Sequence, residues 1–172
     1  MKPTTFEGRA WVIPVDDIDT DMIYHNAHLA VTEISEMGKF ALGNLKGWED
    51  FPSRARAGDI LIFGQNFGCG SSRQHAVDCF KALGISVILA ESFGAIYYRN
   101  AVNSGMPVLT TPGLPTGGTI STGETLRVDL EKGELFNITR NCGAGSACPA
   151  SGVQLDIYHA GDLFDFGRNL SS

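Results

Sequence analysis

The stretch that decides the fold runs Asp59-Ile60-Leu61-Ile62-Phe63-Gly64-Gln65-Asn66-Phe67-Gly68-Cys69-Gly70-Ser71-Ser72-Arg73-Gln74-His75-Ala76-Val77-Asp78-Cys79-Phe80-Lys81-Ala82-Leu83-Gly84. Its opening, 59–63, is a short apolar run and reads as a buried strand. Glycines at 64, 68 and 70 then allow a sharp turn where side chains would clash. Residues 71–83 carry helical spacing, and Gly84 is placed to end that helix. The same grammar repeats downstream. Residues 86–90 read as a strand. Residues 94–104 read as a helix through Ile96, Tyr97 and Val102, stopping at Gly105. Residues 106–110 read as a third strand. Strand–helix–strand–helix–strand predicts a parallel sheet with right-handed crossovers.

Toward the N-terminus, residues 8–14 read as a strand, followed by the polar loop Asp16-Asp17-Ile18-Asp19-Thr20-Asp21. Such side chains bond nearby backbone. Residues 22–32 show no decisive pattern. Residues 33–42 suit a short helix with Thr32 as its cap, and 43–58 read as loop. Toward the C-terminus, 112–123 is a Thr-, Gly- and Pro-rich loop. Residues 124–130 alternate as a strand, and 134–139 return as its hairpin partner across Glu131-Lys132-Gly133. Residues 141–152 are rich in small residues, and 153–160 form a last helix with a polar tail. The expectation is one α/β domain over 1–172, with a partly parallel central sheet and some antiparallel strands.

Composition narrows the function classes. Hydrophobic residues make up 43% and charged ones 19% of 172 residues, enough to bury a core. A net charge of −6 argues against general nucleic-acid binding. No apolar run approaches the ~20 residues that span a bilayer, and the first residues lack the apolar core of a secretory signal. Four cysteines do not make a disulfide scaffold, so a reducing, cytoplasmic setting is expected.

The loop at 67–75 carries the chemistry. Ser71, Ser72 and Arg73 fall where a helix is expected to begin, and free N–H groups and the helix dipole there favour an anion. The plain alternative is that Ser71 caps the helix and Arg73 pairs on the surface. The loop is not a Walker loop, because no Lys follows the glycines. Nor is it a dinucleotide fingerprint, because Arg73 occupies the place of the third glycine.

Gly64-x-Asn66-Phe67-Gly68-Cys69-Gly70-Ser71-Ser72-Arg73, with Glu91-Ser92-Phe93 and Tyr98-Arg99-Asn100, resembles the small subunit of isopropylmalate dehydratase, the swivelling domain of the aconitase superfamily. Asp17-Ile18-Asp19-Thr20-Asp21 and Ala160-Gly161-Asp162-Leu163 extend the likeness to about residues 8–165. The resemblance implies a swivelling β/β/α-type domain. It implies a partner large subunit carrying a [4Fe-4S] cluster, with no cofactor bound by this chain, and a small dicarboxylate substrate. By the same match Ser71 would be the base, Ser72 a hydrogen-bond donor and Arg73 a bidentate carboxylate clamp. Asp21, with Thr20, would orient a catalytic group, and Gly68 and Gly70 would shape the loop. Self-association of the isolated chain is also open.

The likeness places a substrate-selecting loop at His25-Asn26-Ala27-His28-Leu29-Ala30-Val31-Thr32. Relatives that accept an additional carboxylate often carry an arginine just after the Leu. Here Ala30 and Val31 follow it, and a buried carboxylate without a cation is costly. That favours an alkyl-malate, isopropylmalate first. Ala30 departs from the commonest leucine-pathway loop, so dimethylmalate, methylmalate or citraconate hydration and homoaconitase stay open. So does a non-enzymatic anion-binding module.

Other candidates weigh less. His25 and His28 lack a third ligand at suitable spacing, so no metal site is expected. His75 reads as supporting, Asp19 as a turn residue and Cys69 as a free, partly buried thiol. The cysteine spacing fits no cluster pattern. Tyr97, Tyr98 and Arg99 suit a subunit contact, and Asn100 a surface or interface position.

Overall fold

The computed structural model describes residues 1–114 and 118–172; residues 115–117, the centre of the predicted 112–123 loop, lie outside the described residues. In chain order the elements are β1 (Thr5–Ile13), α1 (Thr20–Ile23), α2 (Ile34–Met37), α3 (Phe51–Arg54), β2 (Ile60–Phe63), α4 (His75–Ala82) and β3 (Val87–Ala90). They continue with α5 (Ala95–Asn103), β4 (Val108–Thr110), β5 (Thr125–Asp129), β6 (Glu134–Asn137), β7 (Cys142–Ser146), α6 (Gly152–Ala160) and α7 (Leu163–Leu170).

The seven strands form one sheet in the order β4-β3-β2-β1-β5-β6-β7. Strand β1 is its pivot. The second half of β1 pairs parallel with β2, from Ala10 opposite Ile60 to Ile13 opposite Phe63. Its first half pairs antiparallel with β5, from Thr5 opposite Asp129 to Arg9 opposite Thr125. The predicted mixture of parallel and antiparallel strands is therefore present, and one long strand joins the two halves.

Every residue of β2 and β3 is buried, as expected for parallel strands covered on both faces. Alternation along the strands feeds two cores. Trp11, Ile13, Phe63, Phe67, Phe80 and Tyr97 belong to one. Ala10, Ile60, Ile62, Leu126, Val128 and Leu135 belong to the other. Phe67 stacks on Phe63 with ring centroids 3.8 Å apart and meets Tyr97 edge-on at 5.1 Å. Burying such a ring contributes about 1.5–3 kcal/mol, so the start of the glycine loop is anchored in the core.

Several local expectations are corrected. The helix expected over 71–83 begins only at His75, with Gln74 at the cap position and no side-chain cap. The helix expected over 33–42 is the single turn α2 running into a 3-10 turn at Gly38–Phe40, and Glu33 rather than Thr32 precedes it. Gly38, in the middle of the stretch, weakens a longer helix there. Strand β7 comes from the small-residue segment Cys142–Ser146, where backbone pairing to β6 supplies what the side chains do not. The polar tail contains α7, capped by Asp162, whose carboxylate accepts from the Asp165 N–H at 2.8 Å. No helix is long and apolar enough to cross a membrane among the described residues.

Candidate active site

Loops leaving the C-terminal ends of β1, β2 and β3 converge on one patch, the usual place for a ligand in a parallel sheet. Backbone bonds lace them together. Gly68 N–H donates to Ile18 O at 2.8 Å and Thr20 N–H to Cys69 O at 3.0 Å. Phe67 N–H donates to Ser92 O at 3.0 Å, and Gly94 N–H to Phe67 O at 2.9 Å. Gly68 has φ +77° and lies against the Tyr97 ring, where a Cβ would collide with Cβ and Cγ of that tyrosine. Gly70 also has positive φ, +97°. Both positive-φ positions favour glycine in the loop.

Ser71 and Ser72 are exposed at the crest of the loop. Ser71 does not cap α4; its carbonyl accepts from Thr20 Oγ1 at 3.0 Å, leaving its hydroxyl outward and without a partner among the described residues. Ser72 Oγ accepts from Asn100 Nδ2 at 3.1 Å. The backbone N–H groups of residues 70–74 donate to nothing among the described residues. Unpaired N–H groups just before a helix favour negative charge nearby.

Arg73 is turned inward and is only 13% exposed at its side chain. Its Nη1 donates to Asp21 Oδ1 at 3.0 Å and to Tyr24 O at 2.7 Å. Its Nε and Nη2 make no hydrogen bond among the described residues. Asp21 Oδ1 also accepts from Asn26 N–H at 3.0 Å, and Oδ2 accepts from Asn44 Nδ2 at 3.0 Å. The Arg73 hydrogen bond, helped by Asn26, holds the Asp21 carboxyl below its ordinary range. An ionised Asp21 thus pins one corner of the guanidinium, whose Nε and Nη2 stay unbonded among the described residues.

The segment holding Ala30 and Val31 is tied to the same helix start. Val31 O lies 3.0 Å from His75 Nε2, and the His75 ring packs on Tyr24 at 5.1 Å. Tyr24 Oη donates to His28 O at 2.9 Å. Ala30 is exposed and Val31 half-buried beside the Arg73 loop. Sequence reasoning singled out Ser71, Ser72, Arg73 and Asp21, and the structure brings all four together. It did not find Asn44 or Tyr24 as their partners, and it read Asn100 only as a surface or interface polar group.

The remaining candidates take structural positions. His25 Nδ1 accepts from Ala27 N–H at 3.0 Å, and His28 stacks on Phe40 at 3.8 Å. Asp19 caps α1 by accepting from Met22 N–H. Tyr97 is buried, with its hydroxyl on Ala76 O at 3.0 Å, so it belongs to the core rather than to a subunit contact. Cys69 is partly buried, and burial raises its thiol pKa. Among the described residues no three His, Cys, Asp or Glu side chains converge in a group that could hold a metal ion.

The fold and this loop define the class, a swivel-type domain of the aconitase superfamily: the Aconitase C-terminal domain family matches residues 44–113. The 3-isopropylmalate dehydratase small subunit of Caldicellulosiruptor saccharolyticus is 39% identical over 94% of this chain and 90% of its own. The isopropylmalate/citramalate isomerase small subunit of Methanocaldococcus jannaschii is 41% identical over 77% of this chain and 76% of its own. A crystal structure of a 3-isopropylmalate dehydratase from the same organism superposes with a TM-score of 0.86, at 32% identity, covering 97% of this chain and 95% of that one. The chain belongs to the family of 3-isopropylmalate dehydratase small subunits.

Proposed function

We propose that this chain is the small subunit of a hydro-lyase that interconverts 2-isopropylmalate and 3-isopropylmalate by dehydration and rehydration. The observation that carries the reading is the Asp21–Arg73 pair beneath an exposed Ser71 hydroxyl and five unpaired backbone N–H groups. That set can bind a carboxylate and stabilise a developing anion, but it lacks an electrophile for the departing hydroxyl. A large subunit carrying a [4Fe-4S] cluster is the partner that would supply it. The names of the relatives, which are small subunits, support such a partner.

On this reading Ser71 takes the proton from the carbon adjacent to the departing hydroxyl. A serine hydroxyl is a weak acid, so its alkoxide needs strong stabilisation, which the loop N–H groups and Arg73 are placed to provide. Ser72, steadied by Asn100, donates to a substrate oxygen. The Nε and Nη2 edge of Arg73 takes a carboxylate. Ala30 and Val31 face the variable substituent, and the lack of a cation among residues 29–32 favours an alkyl group over a third carboxylate. The two activities in the name of the M. jannaschii relative make citramalate a second substrate worth assay.

The test is co-expression with a large subunit under anaerobic conditions, followed by assay of isopropylmalate and citramalate. Ser71→Ala is expected to lower kcat by about 10³-fold or more, and Arg73→Lys mainly to raise KM. Unchanged turnover in both variants would remove these roles.

A further inference from the structure

A second cationic cavity lies at the other end of the parallel strands. Arg9 sits beside Asp59 where β1 and β2 begin to pair, whereas Ser71 follows the opposite end of β2. The cavity, of about 430 Å³, is lined by Arg9, Arg54 and Arg56 together with Trp11, Thr122 and Gly123. That volume falls in the range of small-ligand sites. No carboxylate lines it, in a protein of net charge −6.

The arginines are held but not used up. Arg9 is clamped on buried Asp59, with Nη2 at 2.8 Å from Oδ2 and Nε at 3.3 Å from Oδ1. Asp59 Oδ2 is also taken by the Trp11 indole N–H and the Arg56 backbone N–H, each at 2.8 Å. Asp59 therefore has little capacity left for the other guanidinium groups. Arg9 and Arg54 each lie over the Trp11 ring, at 4.9 and 5.0 Å from its centroid. Arg54 reaches one exposed carboxylate among the described residues, Asp50, at 3.5 Å. The Arg56 side chain makes no hydrogen bond or ion pair among the described residues. Planar guanidinium groups, part of them fixed by stacking and facing one cavity, are suited to an oxyanion.

We propose that this cavity is a binding site for a small oxyanion, a dicarboxylate or a phosphate ester, separate from the Ser71–Arg73 loop. The recognition chemistry is shared: two or more anionic oxygens taken by Arg54 and Arg56, with Arg9 and Trp11 as the rigid floor. The site does not depend on the reaction assigned to the other loop.

The test is titration of the full chain with sodium malonate and, separately, sodium phosphate, read by calorimetry and amide chemical shifts. Sodium chloride at matched ionic strength is the control. A saturable site is expected with shifts at Arg56, Thr122 and Gly123, separate from any malonate-induced shifts at residues 70–73. Combined Arg54→Ala and Arg56→Ala should weaken it about tenfold or more, and Arg73→Ala should leave it intact. Arg56→Gln gives the same reading if the double variant folds poorly, because the Arg56 side chain has no hydrogen-bond or ion-pair partner among the described residues to lose. Tighter phosphate binding assigns the site to phosphate esters and tighter malonate binding to dicarboxylates; either supports it. The proposal is overturned if neither anion binds, if chloride produces the same shifts, if the arginine variants bind as wild type, or if Arg73→Ala abolishes binding.

Discussion

At the scale of residues, the Arg73–Asp21 contact is the most informative. Asp21 has its pKa lowered by folding, so its contribution to stability is present above the unfolded value of about 3.9 and is lost as pH falls through the lower, folded value. Asp21→Asn should therefore be less stable than wild type at pH 7, and the gap should close below about pH 4; parallel melting curves across pH 2–7 would check this. Gly68→Ala should lower stability by about 3 kcal/mol, combining positive-φ strain with collision against Tyr97, as read from denaturant midpoints. Ser71, Ser72, Arg73 and both glycines stood out in the chain by residue type and position before a helix, and Asp21 through the family resemblance. Their supports did not. Asn44 lies 23 residues from Asp21, Asn100 lies 28 from Ser72, and Thr20 lies 51 from Ser71. No local pattern announces such partners.

At the scale of elements, the joint between β1 and β2 is secured by Asp59, which receives Arg9, Trp11 and the Arg56 backbone at once. Asp59→Ala should cost about 2–4 kcal/mol, since it leaves the Trp11 and Arg56 donors without an acceptor; chemical denaturation would measure it. Strands β2 and β3 and helix α5 were readable because burial and periodicity coincide in them. Helix α4 was readable except for its first turn. Arg73 is drawn out of the helix toward Asp21 and Tyr24 O, and that contact outweighs the local tendency of Ser71 to cap. Strand β7 escaped notice because Gly143, Ala144 and Gly145 have low strand propensity and join the sheet only through β6.

At the scale of the whole molecule, the proposed function makes this chain one half of a site. On that proposal the 70–73 loop and Asp21 supply the anion-binding and base groups, and no metal-ligating cluster accompanies them among the described residues. The purified chain should therefore be colourless, iron-free by elemental analysis and inactive alone, and activity should appear on addition of the large subunit. Iron retained by this chain alone would contradict the proposed division of labour. What the sequence by itself determined is the alternation of strands and helices from residue 59 to 110, the glycine turn and the placing of Ser71, Ser72 and Arg73 between that turn and helix α4. Those depend on backbone sterics and on neighbours within a turn or two. Only the tertiary structure decided that β1 would serve both halves of the sheet, that Arg73 would lean on Asp21, and that three arginines would line one cavity with Trp11. Each of these is a contact between distant parts of the chain, and such contacts form only when burial of two cores brings those parts together.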